Sequence, residues 1–503
     1  QERRLNGLPS SRSSGADSLG SEPEFIAHDL GLFGSHSLWG LLDETITEGG
    51  RQELVKSLVA APATADQIAI RQRSIQSLRQ ERWFYTRLTL ERDAGEAFTF
   101  SANEARNLMS SPFVPKFFGL GLLAVTLLCL ASWGSVIFVN DGWGARFLPI
   151  TFIACHFFLL NYAGSVFERG LGLSHHLAQL TPLFAAVERR ARVSDRIREL
   201  CPMTSMAGPA KESKRVDRVL AIVGVKTNPL LHLLLNAFCP WSSVGSWLLE
   251  RRRRRIHESF PICMSELAQI EALGSVVSFD HYQTANYPTL NSARLSFDGV
   301  FHPLIDRKVV VANDFAFSAK DSLGLLTGSN MSGKSTFLRA VGLNQILANM
   351  GAPVFAEAMA TKPMNVETCI EVSDSLRDGV SYFYAEVRRL KSLIDHAKRG
   401  GAVLYLIDEI FRGTNNRERH IGSRAVVKTL ARAEGSQGFV STHDLELTAL
   451  ADLEPAVVNL HFRETVEGGK MAFSYRLHPG PSPTTNALRI MEMEGLPVEV
   501  SSV

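Results

Sequence analysis

The run Gly328-Ser-Asn-Met-Ser-Gly333-Lys334-Ser335 decides the fold of the C-terminal half, because it fits the pattern G-x-x-x-x-G-K-[ST]. An apolar segment, 323–326, precedes it and a helical run, 336–350, follows it. The glycines let backbone N–H groups turn inward around phosphate oxygens, and the start of the helix adds a partial positive charge. The pattern therefore predicts a phosphate-binding loop for ATP, in which Lys334 reaches the β and γ phosphates and the Ser335 hydroxyl binds Mg²⁺.

A second motif follows the apolar segment 402–407, which reads as a buried strand and ends in Asp408-Glu409. We expect Asp408 to hold Mg²⁺, directly or through water, and Glu409 to polarise the water that attacks the γ-phosphate. His443 comes after another apolar strand, 438–441, where it can sense the γ-phosphate. Because short β-rich runs alternate with helical stretches in this half, we predict an α/β P-loop ATPase domain with a mostly parallel sheet of the ABC type.

The composition argues against a protein that coats nucleic acid along its whole length. Lys plus Arg total 53 against 51 for Asp plus Glu in 503 residues, so the net charge is only +2. The six cysteines are scattered without a Cys-x-x-Cys pair, which argues against a disulfide framework or a zinc ribbon. Charged residues make up 21% of the chain, below the ~25% of an ordinary soluble domain. This composition indicates an apolar segment that something other than a protein core, such as a membrane, shields from water.

Two adjacent apolar stretches meet that expectation. Residues 117–139 contain no charged side chain, and as a helix they would reach about 34 Å, enough to span a bilayer. After a short polar link, residues 147–166 carry one ionisable side chain, His156. Together they predict a two-helix transmembrane hairpin over 117–166, and the supply of ATP places the P-loop domain in the cytoplasm. A buried pair of helices in a soluble core is the alternative.

The segments on either side of the hairpin read as helical. A third apolar stretch, 229–249, contains several polar residues and is interpreted as a helix that does not span the membrane. The five arginines at 251–255 fit a cytoplasmic membrane face, DNA phosphates or acidic lipid headgroups, and equally a solvated helix face. The predicted order is a disordered tail at 1–24, a helical core segment at 25–116, the hairpin at 117–166, a helical lever region at 167–295 and the P-loop ATPase domain at 296–503.

Five stretches of the second half, taken in order, resemble the MutS family of DNA mismatch-repair ATPases. Residues 327–336 (TGSNMSGKST) look like that family's TGPNMGGKST, and 351–356 (GAPVFA) look like its G-x-x-V-P-A. Residues 373–386 (SDSLRDGVSYFYAE) are similar to SDDLASGRSTFMVE. Residues 408–414 (DEIFRGT) and 441–448 (STHDLELT) are similar to DEIGRGT and ATHYFELT.

The resemblance implies a dimer with ATP at the interface. Ser381 would be the serine that one subunit contributes to the γ-phosphate of ATP bound by the other subunit, and Asn313 would contact the nucleotide. The family's adenine-stacking aromatic falls on Val310 here, which leaves base selectivity open. The predicted cofactor-binding residues are Gly328, Asn330, Gly333, Lys334, Ser335, Thr336 and Asn313; the predicted metal ligands are Ser335 and Asp408; the predicted catalytic residues are Glu409, His443 and Ser381.

The chain also departs from the family's mismatch sensor. The Phe-x-Glu wedge is absent from the first hundred residues, and an apolar hairpin stands where the family has lever and clamp helices. We therefore expect a membrane-anchored, dimeric MutS-like ATPase that binds DNA through Arg251, Arg252, Arg253, Arg254 and Arg255. Two alternatives remain: an ATP-driven membrane switch or remodeller with no DNA role, and a soluble ATPase whose apolar hairpin forms a dimer core. An ABC transporter is disfavoured because no LSGGQ string is present.

Overall fold

The structure is a computed structural model of the chain. It describes residues 21–81, 84–85, 107, 109–138, 143–223, 234–236, 239–282, 286–329, 331–371, 382–412, 414–467 and 470–483. Two compact units interleave along the sequence. Unit 1 comprises Gln1–Glu44, Gln52–Gln80 and Ser275–Val503, and unit 2 comprises Thr45–Arg51 and Glu81–Gly274. An N-terminal segment therefore folds in the same unit as the C-terminal domain, whereas the sequence suggested a linear order of segments.

Nine strands lie in the part of unit 1 that the structure describes. They are β1 (Ser296–Val300), β2 (Asn313–Ala316), β3 (Leu323–Thr327), β4 (Ala358–Ala360), β5 (Asn365–Cys369), β6 (Val403–Ile407), β7 (Gln437–Ser441), β8 (Val457–Glu467) and β9 (Lys470–Pro479). Six of them form the main sheet in the order β5-β6-β7-β3-β8-β9. The first five of these run parallel and β9 is antiparallel to β8, so the sheet is mixed but mostly parallel.

The central strands β3, β6 and β7 are buried along their whole length. A strand covered on both faces has no solvent side, which is why these three read as continuous apolar runs. The register places Leu325 of β3 beside Val440 of β7 and Asn459 of β8. In this parallel arrangement the carboxyl ends of β3, β6 and β7 lie along one edge, where open α/β sheets bind their ligands.

A second, antiparallel sheet has the order β2-β1-β4. Phenylalanine side chains join it to the main sheet. The Phe439 ring of β7 lies 5.2 Å from Phe315, 5.3 Å from Phe317 and 5.2 Å from Phe337, measured between ring centroids. Such tilted and edge-to-face contacts add to the free energy gained by burying the rings, so the small sheet is held firmly beside the P-loop.

Fourteen α-helices lie within the described residues. They are α1 (Ser21–Leu30), α2 (Leu38–Leu42), α3 (Glu48–Val59), α4 (Ala65–Leu78), α5 (Phe118–Phe138), α6 (Trp143–Ala191), α7 (Asp195–Leu200), α8 (Pro202–Ala207), α9 (Pro209–Val223), α10 (Trp241–Tyr282), α11 (Lys334–Met350), α12 (Tyr382–Lys398), α13 (Asn416–Ala431) and α14 (Leu450–Leu453). Helices α12 and α13 cover the main sheet through buried residues such as Leu390, Leu393, Val427 and Leu430.

Helix α1 begins within the stretch predicted as a disordered tail, of which residues 1–20 lie outside the described residues. It packs against α11: a Cβ atom on Gly342 would lie 2.8 Å from the Leu30 side chain, so the missing side chain lets the two helices approach closely. Leu30 and Asp29 are both fully buried. The predicted disordered tail, 1–24, therefore overlaps the start of α1 at Ser21. The buried side chains of Asp29 and Leu30 hold this helix against the rest of unit 1.

Helices α5 and α6 occupy the predicted hairpin, but α6 does not end at residue 166; it continues to Ala191. Beyond 166 its buried residues recur at helical spacing, with Leu173, Leu177, Leu180 and Phe184 all buried. The change at 166 thus marks the end of the uniformly apolar stretch and the start of an amphipathic one. It does not mark a helix end.

Helix length and composition alone do not support a two-span hairpin. Among the described residues, one helix, Trp241–Phe279, is long and apolar enough to cross a membrane, and 67% of its apolar window is buried inside the protein. A core helix of a soluble protein has the same properties. The segment Phe118–Gly134 is apolar but shorter. In the third apolar stretch, 229–249, residues 229–233 and 237–238 lie outside the described residues, and α10 begins at Trp241.

Candidate nucleotide-binding site

The loop between β3 and α11 has the backbone geometry of a phosphate cradle. Gly328 and Gly333 have φ angles of 141° and 111°, in the region that side chains disfavour. At Gly328 the space is also closed, because a Cβ atom would lie 2.8 Å from the Phe462 carbonyl oxygen. Helix α11 starts at Lys334, and its N-cap residue Gly333 has no side chain to accept from the first N–H groups, which can therefore bind an anion.

Lys334 is folded into this loop. Its Nζ donates hydrogen bonds to the carbonyl oxygens of Gly328 and Ser329, each at 2.8 Å. The residue is only 4% exposed, and burial lowers the pKa of its ammonium group. Phosphate oxygens are better partners for an ammonium than carbonyls, so bound nucleotide would draw Nζ away from the loop backbone. Thr336, in the first turn of α11, is exposed.

Ser335, Asp408 and Ser441 meet at the carboxyl edge of the sheet. The Ser335 hydroxyl donates to Oδ2 of Asp408, and the Ser441 hydroxyl donates to Oδ1 of the same carboxylate. These three residues come from the start of α11 and the ends of β6 and β7. Carboxylate and hydroxyl oxygens are the hard donors that Mg²⁺ prefers, so the set fits the metal. Ser441 was not singled out from the sequence; its signal is its place at the end of β7.

Glu409 and His443 are in contact. His443 Nε2 lies 2.9 Å from Glu409 Oε1, and Arg412 Nε lies 3.1 Å from Glu409 Oε2. Hydrogen bonding to His443, more than the nearby positive charges, lowers the pKa of Glu409. The Glu409 N–H donates to the Ser441 hydroxyl at 2.8 Å, and the backbone there has a φ of 48°. An ionised carboxylate at this position can accept a proton from water.

Asn313, which is predicted to contact the nucleotide, is hydrogen-bonded to the backbone of β9. Its Nδ2 donates to the carbonyl oxygen of Tyr475 at 3.2 Å, and its Oδ1 accepts from the N–H of Leu477 at 2.7 Å. The amide thus ties β2 to β9. Tyr475 itself is 44% exposed with a φ of 52°, and its Cδ1 lies 3.2 Å from where a Cβ on Gly333 would be. No local sequence pattern indicates that this ring lies beside the P-loop.

Two of the predicted residues, Asn330 and Ser381, lie outside the described residues. Asp29 contacts the chain on either side of residues 372–381, which are called the Ser381 segment below. Its carboxylate accepts hydrogen bonds from the N–H groups of Ile370 at 2.9 Å and Glu371 at 3.1 Å, and it pairs with Arg389 of α12. Described residues before and after positions 372–381 therefore contact α1, which no sequence motif indicated.

Glu386 of α12 fastens the loop that follows Glu409. Its Oε1 accepts from the N–H of Phe411 at 2.5 Å, where the backbone φ is 59°. Burial raises the pKa of the Glu386 carboxyl. The side chain therefore supports an unusual backbone turn, two residues beyond the predicted catalytic carboxylate.

The arginine run at 251–255 is not the open basic surface expected for DNA contact. Arg253 is 4% exposed and donates to both Glu250 oxygens at 2.8 Å. Arg254 also pairs with Glu250 at 2.8 Å, and Arg252 pairs with Glu212 at 3.4 Å. Arg251 lies over the Trp247 ring. The prediction that all five contact DNA is wrong for Arg253, because it is buried in a structural ion pair within unit 2.

Sheet, loop and carboxylates together define a P-loop nucleotide-binding domain of the ATPase type. Residues 324–502 match the family model for MutS domain V. The chain is 31% identical over 243 residues to a DNA mismatch repair protein MutS from Geobacillus thermodenitrificans (strain NG80-2). The matched region covers 47% of this chain and 26% of the relative. It is 29% identical over 280 residues to the MutS of Lactobacillus johnsonii (strain CNCM I-12250 / La1 / NCC 533), covering 53% and 32%.

These matches show that the C-terminal domain of the chain is similar to MutS domain V. The chain spans between 26% and 32% of the length of these two curated relatives.

Proposed function

We propose that the chain is a MutS-like ATPase that binds and hydrolyses ATP with Mg²⁺ at an interface between two copies of itself. One observation carries the proposal: Asp408 accepts hydrogen bonds from both Ser335 and Ser441, while the adjacent Glu409 is in contact with His443. A metal ligand and a general base at the carboxyl edge of a P-loop sheet are what hydrolysis at a γ-phosphate requires.

The residues divide the work as follows. The loop N–H groups and Lys334 hold the β and γ phosphates. Ser335 and Asp408 hold Mg²⁺, which supplies positive charge against the phosphate oxygens when bound. Glu409 orients a water molecule and accepts its proton as the oxygen attacks phosphorus and the bond to ADP breaks. His443 keeps Glu409 ionised and oriented.

The test is ATP turnover by the full-length protein. We expect Glu409→Gln to bind ATP and to lower kcat by about 10²–10⁴, because an amide cannot accept the proton. Lys334→Ala should lose nucleotide affinity itself. Asp452→Asn, which removes an exposed carboxylate in α14, is the matched control and should retain turnover. Undiminished hydrolysis by Glu409→Gln would refute the assignment of the base.

A role on DNA is part of the proposal. It rests on the relatives, which are described as DNA mismatch repair proteins, and on exposed cations of unit 2 such as Arg251, Arg254 and Arg255. Such contacts to phosphates would be independent of base sequence and weakened by salt. We expect ATP-dependent binding to duplex, mismatched or branched DNA at low salt, and its absence on all of them would remove this part of the proposal.

Membrane anchoring by α5 and α6, with the ATPase domain in the cytoplasm, is a further part. Its support is a stripe of exposed leucines along α5, with Leu120 75% and Leu130 66% exposed and Leu123 and Leu127 between them. Apolar surface of this kind marks a membrane or protein interface. An ATP-driven membrane switch without a DNA role rests on the same stripe and is the second candidate.

Extraction of the expressed protein from membranes separates these possibilities from a soluble dimer. We expect the full-length chain to sediment with membranes and to need detergent for release. Release without detergent would instead mean that a second copy covers the leucine stripe. DNA affinity measured on the detergent-solubilised protein then decides between the DNA-acting enzyme and the membrane switch.

A further inference from the structure

A basic cleft lies in unit 2, where the end of α6 meets α7, α8 and the start of α9. It has a volume of about 540 Å³, within the range of roughly 300–1,000 Å³ that is usual for ligand sites. Three cationic side chains, Arg192, Arg198 and Lys211, line it together with one carboxylate, that of Glu188. Three positive charges against one negative leave the lining at +2, which favours an anion.

The charges of the cleft are poorly neutralised from within the protein. Glu188 Oε1 already accepts a hydrogen bond from the N–H of Ala210 at 2.8 Å. Arg198 pairs with Asp195 at 2.9 Å, but both side chains are more than half exposed, so water and salt weaken that attraction. Arg192 and Lys211 are exposed and have no ion-pair partner among the described residues. At least two cations are therefore available to a ligand.

A neutral hydrogen-bond donor accompanies these cations. Ser205 lines the cleft, and its hydroxyl is shielded from solvent without a hydrogen-bond partner among the described residues. Buried hydroxyls nearly always have a partner. Met206, which is 85% exposed, adds an apolar wall and so leaves room for more than a bare ion.

We propose that this cleft binds a phosphate-bearing anion, either a phosphodiester of a nucleic-acid backbone or a phosphorylated small molecule. Guanidinium and ammonium groups with a hydroxyl donor are the usual partners of phosphate oxygens. A lipid headgroup is a poor candidate, because α6 is continuous and places the cleft about 38 Å along its axis from the end of the apolar stretch at Val166. The proposal goes beyond ATP hydrolysis, since the cleft belongs to unit 2 and the P-loop to unit 1.

The first test labels lysines in the full-length protein. Lys211 and Lys214 are both exposed on α9, but Lys214 does not line the cleft, so it is an internal control. Each is acylated in the presence of inorganic pyrophosphate or of a short DNA duplex and followed by mass spectrometry. We expect several-fold slower acylation of Lys211 with Lys214 unchanged. Protection by DNA identifies a nucleic-acid backbone, and protection by pyrophosphate alone identifies a small phosphorylated ligand.

The second test measures affinity for the same two probes. The double variant Arg192→Gln/Lys211→Gln should bind the protecting probe about tenfold more weakly, as expected for the loss of charge-assisted hydrogen bonds. If that probe is DNA, the slope of log affinity against log salt should also fall by about two. Arg196→Gln/Lys214→Gln removes the same charges from exposed positions outside the cleft and should bind normally.

No protection of Lys211 by either probe, or equal affinities of the two double variants, would overturn the proposal. Pyrophosphate also fits the P-loop, so the affinities are measured with Lys334→Ala in every protein. That substitution should abolish ATP hydrolysis and leave protection of Lys211 intact. Failure of the ATPase proposal and failure of the cleft proposal therefore give different results.

Discussion

At the residue scale, the contact between His443 and Glu409 sets the charge of the proposed base. The 2.9 Å hydrogen bond is the main cause of the lowered pKa of Glu409, and Arg412 and Lys334 act in the same direction. A carboxyl with a lowered pKa stays ionised as the pH falls and becomes protonated only below that pKa. Hydrolysis that depends on ionised Glu409 should therefore persist into the mildly acidic range.

His443→Ala removes the hydrogen-bond donor, so the pKa of Glu409 should rise towards its ordinary value. We expect the acid limb of the pH profile of kcat/KM to move to higher pH, so that activity is lost first at the acid end. His396→Ala is the matched control, because His396 makes a similar contact of 2.8 Å to Glu367, which is not among the proposed site residues. An acid limb that stays in place in His443→Ala would contradict the role assigned to the histidine.

Residues within motifs were predictable from the sequence and their neighbours were not. Ser335, Asp408 and Glu409 each occupy a position whose chemistry follows from a strand-loop pattern, and the structure brings them together. Ser441 joins them because β7 lies beside β6, which no local pattern states. The hydrogen bonds of Asn313 to the backbone of β9 likewise join residues far apart in the sequence, and its contact with the nucleotide stays a prediction.

At the element scale, helix α1 stabilises unit 1 through the contacts of Asp29. The Asp29 carboxylate is fully buried and holds two N–H groups after β5 as well as the Arg389 guanidinium. Arg339 of α11 donates to the Asp29 carbonyl oxygen at 2.8 Å and pairs with Glu371. One residue of α1 thus contacts the helix that follows the P-loop and both sides of the Ser381 segment.

Asp29→Ala should lower the free energy of unfolding by about 3–5 kcal/mol, because it removes the only carboxylate paired with the mostly buried Arg389 guanidinium among the described residues and leaves two N–H groups without their acceptor. Urea unfolding of the full-length protein measures the loss. Asp66→Ala, at an exposed position in the first turn of α4, removes the same charge and should cost no more than about 1 kcal/mol. Equal losses in the two variants would show that the contacts of Asp29 contribute little.

Element types were easier to predict than element ends. The buried strands β3, β6 and β7 fall where continuous apolar runs indicated them. The end of α6 was missed because composition changes at 166 while helical spacing continues to Ala191. The start of α1 was missed because its stability depends on Asp29 and Leu30 meeting partners more than 300 residues away in the sequence.

At the scale of the whole molecule, the division into units could not be read from the sequence. Unit 1 combines Gln1–Glu44 with a domain that begins near residue 275, and only contacts distant in sequence determine this. Association of two copies is likewise invisible to local pattern. The expectation of a dimer depends on Ser381, which the resemblance assigns to the ATP site of a partner copy.

Complementation between inactive variants tests that association. Lys334→Ala disables the ATP site of its own copy, and Ser381→Ala disables the site it would complete in the other copy. A mixed dimer then retains one intact site, with Lys334 from the Ser381→Ala copy and Ser381 from the Lys334→Ala copy. After co-expression, turnover should recover to roughly a quarter of the wild-type rate, given random pairing in a two-fold symmetric dimer.

The control mixes Lys334→Ala with Glu409→Gln. Lys334 and Glu409 of one copy act in the same ATP site. Each site of the mixed dimer therefore carries one defect, and turnover should stay low. Recovery in the first mixture and none in the second means that a serine crosses the interface. Equal turnover in the two mixtures would mean that each copy hydrolyses ATP with its own residues, and the dimer would then have some purpose other than completing the site.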